Sequence, residues 1–351
     1  MEPPNAHRIP PARRGVTMIA AAAVLAIVVS GTTIAMASAS PTRTEAAKPA
    51  KKPKKKPAKK VQRPPALPKS CIELGLYRDN PVGTYASIQK TFGAGVTTVA
   101  TYVTTGRALD PKLAALAKKR GLRLLVSWMP DGGKEGPNQP KFRLKAITSG
   151  KLDADLKALA LEMKQAGVPV IFRPMPEPNT PWYAWSGTVN GNTPEQYAAA
   201  WKRVRKVVKK FGGKRVSLLW SPYVRSVPDD DPNAIAKYFP GAAAVDLVGV
   251  SGYNFGTTGD LTWTDPRPLF ITAYSQIQAL APKPFWISET GSTATGGDKN
   301  AWIASLKALK TDMPMLRGVV WFDVNEPNGD FRLTGASAAA AKSLIKGRCI
   351  A

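Results

Sequence analysis

The sequence predicts an α/β fold, a (β/α)8 TIM barrel built as a single domain over residues 70–351. Three observations predict it. From Cys71 onward, short apolar runs alternate with amphipathic helical stretches, the pattern of a parallel sheet. Eight such units fit into the 282 residues of this segment, which suits a closed barrel. An open doubly wound sheet would normally carry a Gly-rich phosphate loop after its first strand. Here that position reads Tyr77-Arg78-Asp79-Asn80-Pro81.

The expected strands are 73–77, 96–102, 122–128, 168–174, 215–221, 246–252, 285–289 and 318–322. Each is a short apolar run that a strand can bury. The clearest helices are 110–120, 151–165, 193–211 and 299–311. Thr193 is placed to cap the third of these, with Pro194 in its first turn. Hydrophobic residues make up 44% of the chain, enough for a large core.

The first seventy residues have a different character. Arg8, Arg13 and Arg14 precede an apolar run from Val16 to Met36, and small residues follow. Residues 1–39 therefore read as a secretory signal peptide or an uncleaved N-terminal membrane anchor, which makes the protein secreted or membrane-tethered outside the cytoplasm. Residues 40–69 are rich in Lys, Pro and Ala, as in Lys51-Lys52-Pro53-Lys54-Lys55-Lys56-Pro57. With no apolar face and mutually repelling charges, they read as a disordered linker. Formal net charge is +26. Such an excess is expected to attract an anionic envelope polymer or lipid through the linker. No motif supports a nucleic-acid partner, and the chain reads as a monomer.

The barrel expectation carries a positional one, because barrel active sites lie at the C-terminal ends of the strands. Trp128, Arg173, Glu177, Trp220, Tyr253, Asn254, Glu289, Trp321 and Asp323 all fall there. Glu177 and Glu289 end the fourth and seventh strands, which face each other across an eight-stranded barrel. A pair of carboxyl groups is the equipment of glycoside cleavage: one protonates the leaving oxygen, and the other attacks or activates water. Trp rings offer flat apolar faces to sugars. The only histidine is His7, so the domain has no Ser/His/Asp arrangement, and with two distant cysteines a zinc site is not expected. Asp229-Asp230-Asp231 reads as a solvated acidic loop. No metal and no cofactor are expected.

The residues around strands four and seven resemble glycoside hydrolase family 26, a group best known for β-mannanases. The matching run is Gly150-Lys151-Leu152-Asp153, then Val168-Pro169-Val170-Ile171-Phe172-Arg173-Pro174, then Glu177, Asn179, Trp182-Tyr183 and Trp185. Glu289 and Val319-Val320-Trp321-Phe322 also match. The resemblance implies an endo-acting hydrolase of a β-linked polysaccharide, retaining configuration, with Glu177 as acid/base and Glu289 as nucleophile. It implies that Arg173 braces the acid/base region and that Tyr253 hydrogen-bonds the nucleophile. Trp182 and Trp321 would line sugar subsites, with Trp128 and Asn179 also contacting substrate. Family members usually carry His just before the acid/base Glu and after the third-strand Trp. Here those positions are Pro176 and Met129. β-Mannan is the first substrate expectation, with β-glucan, β-1,3-xylan or the producer's own surface glycan as alternatives. The rival from another class is a non-catalytic glycan-binding or wall protein on a degenerate barrel.

Cys71 and Cys349 stand at opposite ends of the domain. In an oxidising compartment they are expected to form a disulfide, stabilising by about 2–4 kcal/mol. Thiol labelling of the unreduced protein should then find no reactive cysteine, and two labelled cysteines would refute the pairing.

Overall fold

The computed structural model describes residues 72–133 and 136–344. The leader, the linker, Cys71 and Cys349 lie outside the described residues, and so does the expected disulfide. Eight strands form the barrel: β1 (Glu73–Tyr77), β2 (Val96–Thr104), β3 (Arg123–Met129), β4 (Val170–Pro174), β5 (Val216–Trp220), β6 (Leu247–Asn254), β7 (Phe285–Ser292) and β8 (Leu316–Phe322). They close in sequence order, all parallel, with β8 returning to pair with β1. The expected TIM barrel is the fold observed.

The helices are α1 (Pro81–Phe92), α2 (Pro111–Arg120), α3 (Leu144–Thr148), α4 (Asp153–Ala166), α5 (Pro194–Phe211), α6 (Pro266–Leu280), α7 (Lys299–Ser305), α8 (Leu309–Asp312) and α9 (Gly335–Ser343). Their starts follow capping chemistry. Thr193 and Gln196 close a reciprocal capping box ahead of α5, with Pro194 at its first turn. The Asp110 side chain accepts from the Lys112 amide ahead of α2. The α2 and α4 helices stop at Gly121 and Gly167, both left-handed, a conformation that Gly adopts without a Cβ clash. The helix expected over 299–311 is not uniform. Between α7 and α8 the amides of Lys307, Ala308 and Leu309 bond three residues back, so the middle turn tightens. The β5-to-β6 connection carries three short 3-10 turns instead of an α-helix.

Strand alternation sorts the apolar side chains into two separate clusters. The larger lies between strands and helices and contains Trp128, Trp220 and Trp321. The smaller fills the barrel interior, with Tyr77, Ala100, Leu125, Ile171, Leu219, Trp286, Val320 and Phe322. Trp286 is the largest of these interior side chains. Its neighbours in register are Gly249 on β6 and Gly318 on β8. A Cβ at Gly318 would lie 2.3 Å from the indole, and one at Gly249 would lie 2.2 Å from the Trp286 carbonyl oxygen. Gly318 therefore makes room for the indole, and Gly249 for the Trp286 backbone. Below it, at the strand starts, Arg123 pairs with buried Glu73. Gly249→Ala should destabilise the barrel by about 1–3 kcal/mol or more, since backbone must move to admit the methyl. A lowered urea midpoint would show this.

Candidate active site

The mouth of the barrel is organised around one buried cation. Inward alternation on β4 places Arg173 one pleat above Ile171, and the residue is 1% exposed. A guanidinium cannot shed its charge, so burial obliges the protein to surround it with acceptors. Its Nε donates to Ser127 Oγ at 2.8 Å, and its Nη1 donates to Ser251 Oγ at 3.2 Å and Ser288 Oγ at 3.3 Å. The Nη2 pairs with Glu289 Oε2.

Glu289 reaches this pair because β7 carries a bulge. On the β6 side Val250 pairs with Ile287 and Ser251 with Glu289, so Ser288 is skipped. The β8 side shows the same extra residue between Ile287 and Thr290. Strict alternation from Trp286 would turn Ser288 inward and Glu289 outward. The bulge lets both meet Arg173, one of the ways a bulge re-aims a side chain beside a site. Ser288 Oγ donates to the Val250 carbonyl at 3.1 Å and lies 2.6 Å from Ser221 Oγ. Its single proton is thereby used, so Ser221 is the donor between them.

Two phenols complete the shell. Tyr102 donates to Glu289 Oε2 at 2.6 Å, and Tyr253 donates to Oε1. Burial alone would raise the Glu289 pKa. Arg173 and the two phenols outweigh it and hold the carboxyl below the ordinary glutamate range. Burial, and then the charge of Glu289, pushes both phenols well above the usual tyrosine value, so they stay protonated as donors. The Glu289 side chain is 13% exposed and its arginine only 1%. The carboxylate thus faces the mouth while its counter-charge lies behind it.

Glu177 sits in the loop after β4, 2% exposed, and its backbone is left-handed at φ 54°. Met175 is left-handed as well, at φ 50°. Such conformations cost non-glycine residues about 1–3 kcal/mol and persist where surroundings over-determine them. The surroundings here do so. The Met175 amide donates to the Trp128 carbonyl and the Glu177 amide to the Ser221 carbonyl, both at 2.9 Å. Tyr197 donates to the Met175 carbonyl at 3.0 Å, and Trp185 to the Pro176 carbonyl at 2.8 Å. The charge of Glu177 acts on Arg173 and Tyr253, the groups that hold Glu289, so the two glutamates share one electrostatic site.

Residues 144–289 match the profile of glycosyl hydrolase family 26. That match covers less than half of the chain and supports kinship with the family, as a divergent relative. It is 27% identical over 226 residues to Endoglucanase H of Acetivibrio thermocellus, covering 63% of this chain and 24% of that protein. It is 30% identical over 166 residues to a mannan endo-1,4-beta-mannosidase of Bacillus subtilis, covering 46% of this chain and 42% of that protein. The chain thus spans less than half the length of these curated relatives. Among solved structures, a Cellulomonas fimi endo-beta-1,4-mannanase double mutant superposes with TM-score 0.59 at 17% identity, covering 79% of this chain and 71% of that one. The family 26 domain of a Prevotella bryantii endo-beta-mannanase/endo-beta-glucanase gives 0.57 at 14%, covering 78% and 88%. At these identities the superpositions establish the fold.

Several site expectations need correction. Arg173 does not brace the Glu177 loop; its side chain is spent on Glu289 and three serines. Trp128 and Trp321 have no exposed face, because their strand positions point outward into the helix layer. Trp321 instead donates to the Phe331 carbonyl at 2.7 Å and meets Trp302 edge-on. Asn179 is fully buried, and its amide group donates to the Tyr223 carbonyl and accepts from the Tyr223 amide, tying the β4 loop to the β5 loop. Trp182 remains half-buried at the rim, edge-on to Tyr223. Tyr102 is not among the residues that the sequence points to, although Ala100 and Tyr102 share the inward parity of β2.

Removing one donor should raise the Glu289 pKa. For Tyr253→Phe, the acidic limb of the pH profile of kcat/KM should move to higher pH, because the carboxylate then needs less acid to protonate. An unmoved limb would mean that Glu289 is not the group titrating there.

Proposed function

We propose that this protein is an extracytoplasmic, retaining, endo-acting glycoside hydrolase of a β-linked polysaccharide, with β-mannan the first candidate substrate. The observation that carries this reading is Glu289: a carboxylate kept ionised by Arg173, Tyr102 and Tyr253, yet open to the mouth. That is the state a nucleophile needs before attack. Glu177, across the same mouth and held in a strained backbone, takes the acid/base role.

In the first step Glu177 delivers its proton to the glycosidic oxygen as that bond breaks, and Glu289 attacks the anomeric carbon to give a glycosyl ester. In the second step Glu177 accepts a proton from water as the water displaces Glu289. Tyr102 and Tyr253 release part of their hydrogen bonding as negative charge leaves the carboxylate for the ester. Beyond Tyr77, whose ring meets Tyr102 at 4.9 Å, a cleft of about 450 Å³ opens beside β1 and β8, lined by Arg78, Asp79, Asp323, Asn325, Arg332 and Thr334. Its charged and amide groups, set among Val324 and Leu333, suit further sugar units of a chain. Trp182 offers an apolar ring face at the other side.

Met129 and Pro176 supply no imidazole to the sugar, and this favours testing β-glucan, β-1,3-xylan and surface glycans beside mannan. The relatives' names support both mannan and glucan chemistry.

The roles separate experimentally. Glu289→Gln should abolish turnover with the fold intact. Glu177→Ala should lose about 10²–10⁴ in rate on natural glycan, where protonation is needed. On an activated aryl glycoside the first step should survive and the covalent intermediate accumulate. Azide, which needs no base, should then restore turnover and give a β-glycosyl azide, by two inversions at a β-linked substrate. Equal loss on both substrates without rescue would move the acid/base role elsewhere, and an α-azide would make the enzyme inverting.

A further inference from the structure

We propose that the N-terminal face of the barrel, where α2, α4 and α5 end, docks on an anionic lipid membrane and turns the mouth away from it. The charges of this domain are sorted by face. Residues 70–351 contain 36 Lys and Arg against 22 Asp and Glu. In a barrel of this topology the helix C-termini lie on the face opposite the mouth. The last turns hold Lys118, Lys119 and Arg120 on α2, Lys164 on α4, and Lys209 and Lys210 on α5. The helix dipole favours a cation at such ends, but the run continues past α5 into Lys214 and Arg215, outside any helix.

These groups form one patch. The helices α2, α4 and α5 are successive neighbours in contact. Arg215 donates to the Gly167 carbonyl, just past α4, and a Cβ at Gly213 would lie 3.2 Å from Lys164 Cγ. Lys118, Lys119, Lys164, Lys210 and Lys214 are all exposed. Among the described residues none of these five has a carboxylate in salt-bridge range. Two acids toward this side of the barrel are already held, Asp246 by Arg205 and Lys209, and Glu73 by Arg123. The charge is therefore uncompensated. The chain also enters the barrel on this face, at Glu73, directly after the Lys-rich segment of the sequence.

The chemistry favours a plane of mobile headgroups over a polymer strand. Lysine ammoniums are point charges that attract without fixed geometry, whereas bidentate phosphate recognition uses free guanidinium forks. Here Arg120 is turned onto the Tyr85 ring and one end of the Arg215 fork is held by the Gly167 carbonyl. Single-stranded nucleic acid needs aromatic platforms, and Phe211 is covered by Lys157 and Lys210 at 5.1 and 5.2 Å. Each Lys near an anionic bilayer strengthens binding roughly fivefold.

The test uses the full chain and sedimentation with vesicles of phosphatidylglycerol and phosphatidylcholine, or of phosphatidylcholine alone. The anionic-over-neutral preference should weaken with salt. The triple variant K118E/K164E/K214E should lose at least about 100-fold of that preference by the same arithmetic. The charge-matched K141E/K145E/K151E, on the β3-to-α4 segment, should lose far less. On the unaltered protein, amine labelling should show Lys118, Lys164 and Lys214 shielded by anionic vesicles while Lys141, Lys145 and Lys151 stay reactive. Equal losses in the two variants, or a footprint spread over both lysine sets, would overturn the proposal. So would binding of soluble polyphosphate through the same lysines without vesicle binding, which would assign the face to a polymer.

Discussion

Everything at the mouth depends on the burial of Arg173. A permanent cation in the barrel interior is tolerable only if its donors are met and its charge is balanced. Three serines from three different strands and one carboxylate do this. The serines are small enough to fit the interior layer and polar enough to replace water. The carboxylate is Glu289, so the requirement to neutralise Arg173 is also what fixes the candidate nucleophile. Removing either partner would strand the other, and the pair must be judged as a unit.

The bulge in β7 is the geometric counterpart of this electrostatic demand. A regular strand presents one inward residue per pleat, and the site uses two in succession, Ser288 for the serine shell and Glu289 for the charge. The same economy appears on β4, where left-handed Met175 and Glu177 turn the chain sharply at the rim. Hydrogen bonds from the β3, β5 and α5 sides then lock that turn. Both glutamates thus owe their aim to a local departure from regular backbone, a bulge at Glu289 and a left-handed turn at Glu177.

The barrel is legible in the sequence because short apolar runs and capped amphipathic helices announce themselves locally. Residues 73–77 and 193–211 are legible to within a residue or two, and Thr193 and Pro194 mark the start of the second by chemistry. The site was legible where a charge ended an apolar run, as at Glu177 and Glu289. It was misread where an aromatic ended one. Trp128 and Trp321 stand at strand ends, but their parity is that of Val126 and Val319, which face the helices, and alternation decides the face before position along the strand does. Tyr102 could have been found by the same parity. The bulge could not, because it appears only when three strands are aligned. For the same reason the family resemblance points Arg173 at the acid/base region, and only the folded barrel shows its carboxylate partner to be Glu289.

The serine shell around Arg173 has a direction. Ser288 gives its proton to the Val250 carbonyl, and Ser221 gives its own to Ser288, so Ser288 turns a lone pair toward the guanidinium. Ser127 and Ser251 accept from it as well. This is a hydration shell built from the protein and already oriented. In the double displacement proposed above, Glu289 becomes a neutral ester for part of each cycle, and Arg173 loses its counter-ion while still buried. A shell of fixed oxygens keeps the cation solvated through that interval without recruiting water, the one molecule that would end the intermediate early if it were admitted from the wrong side.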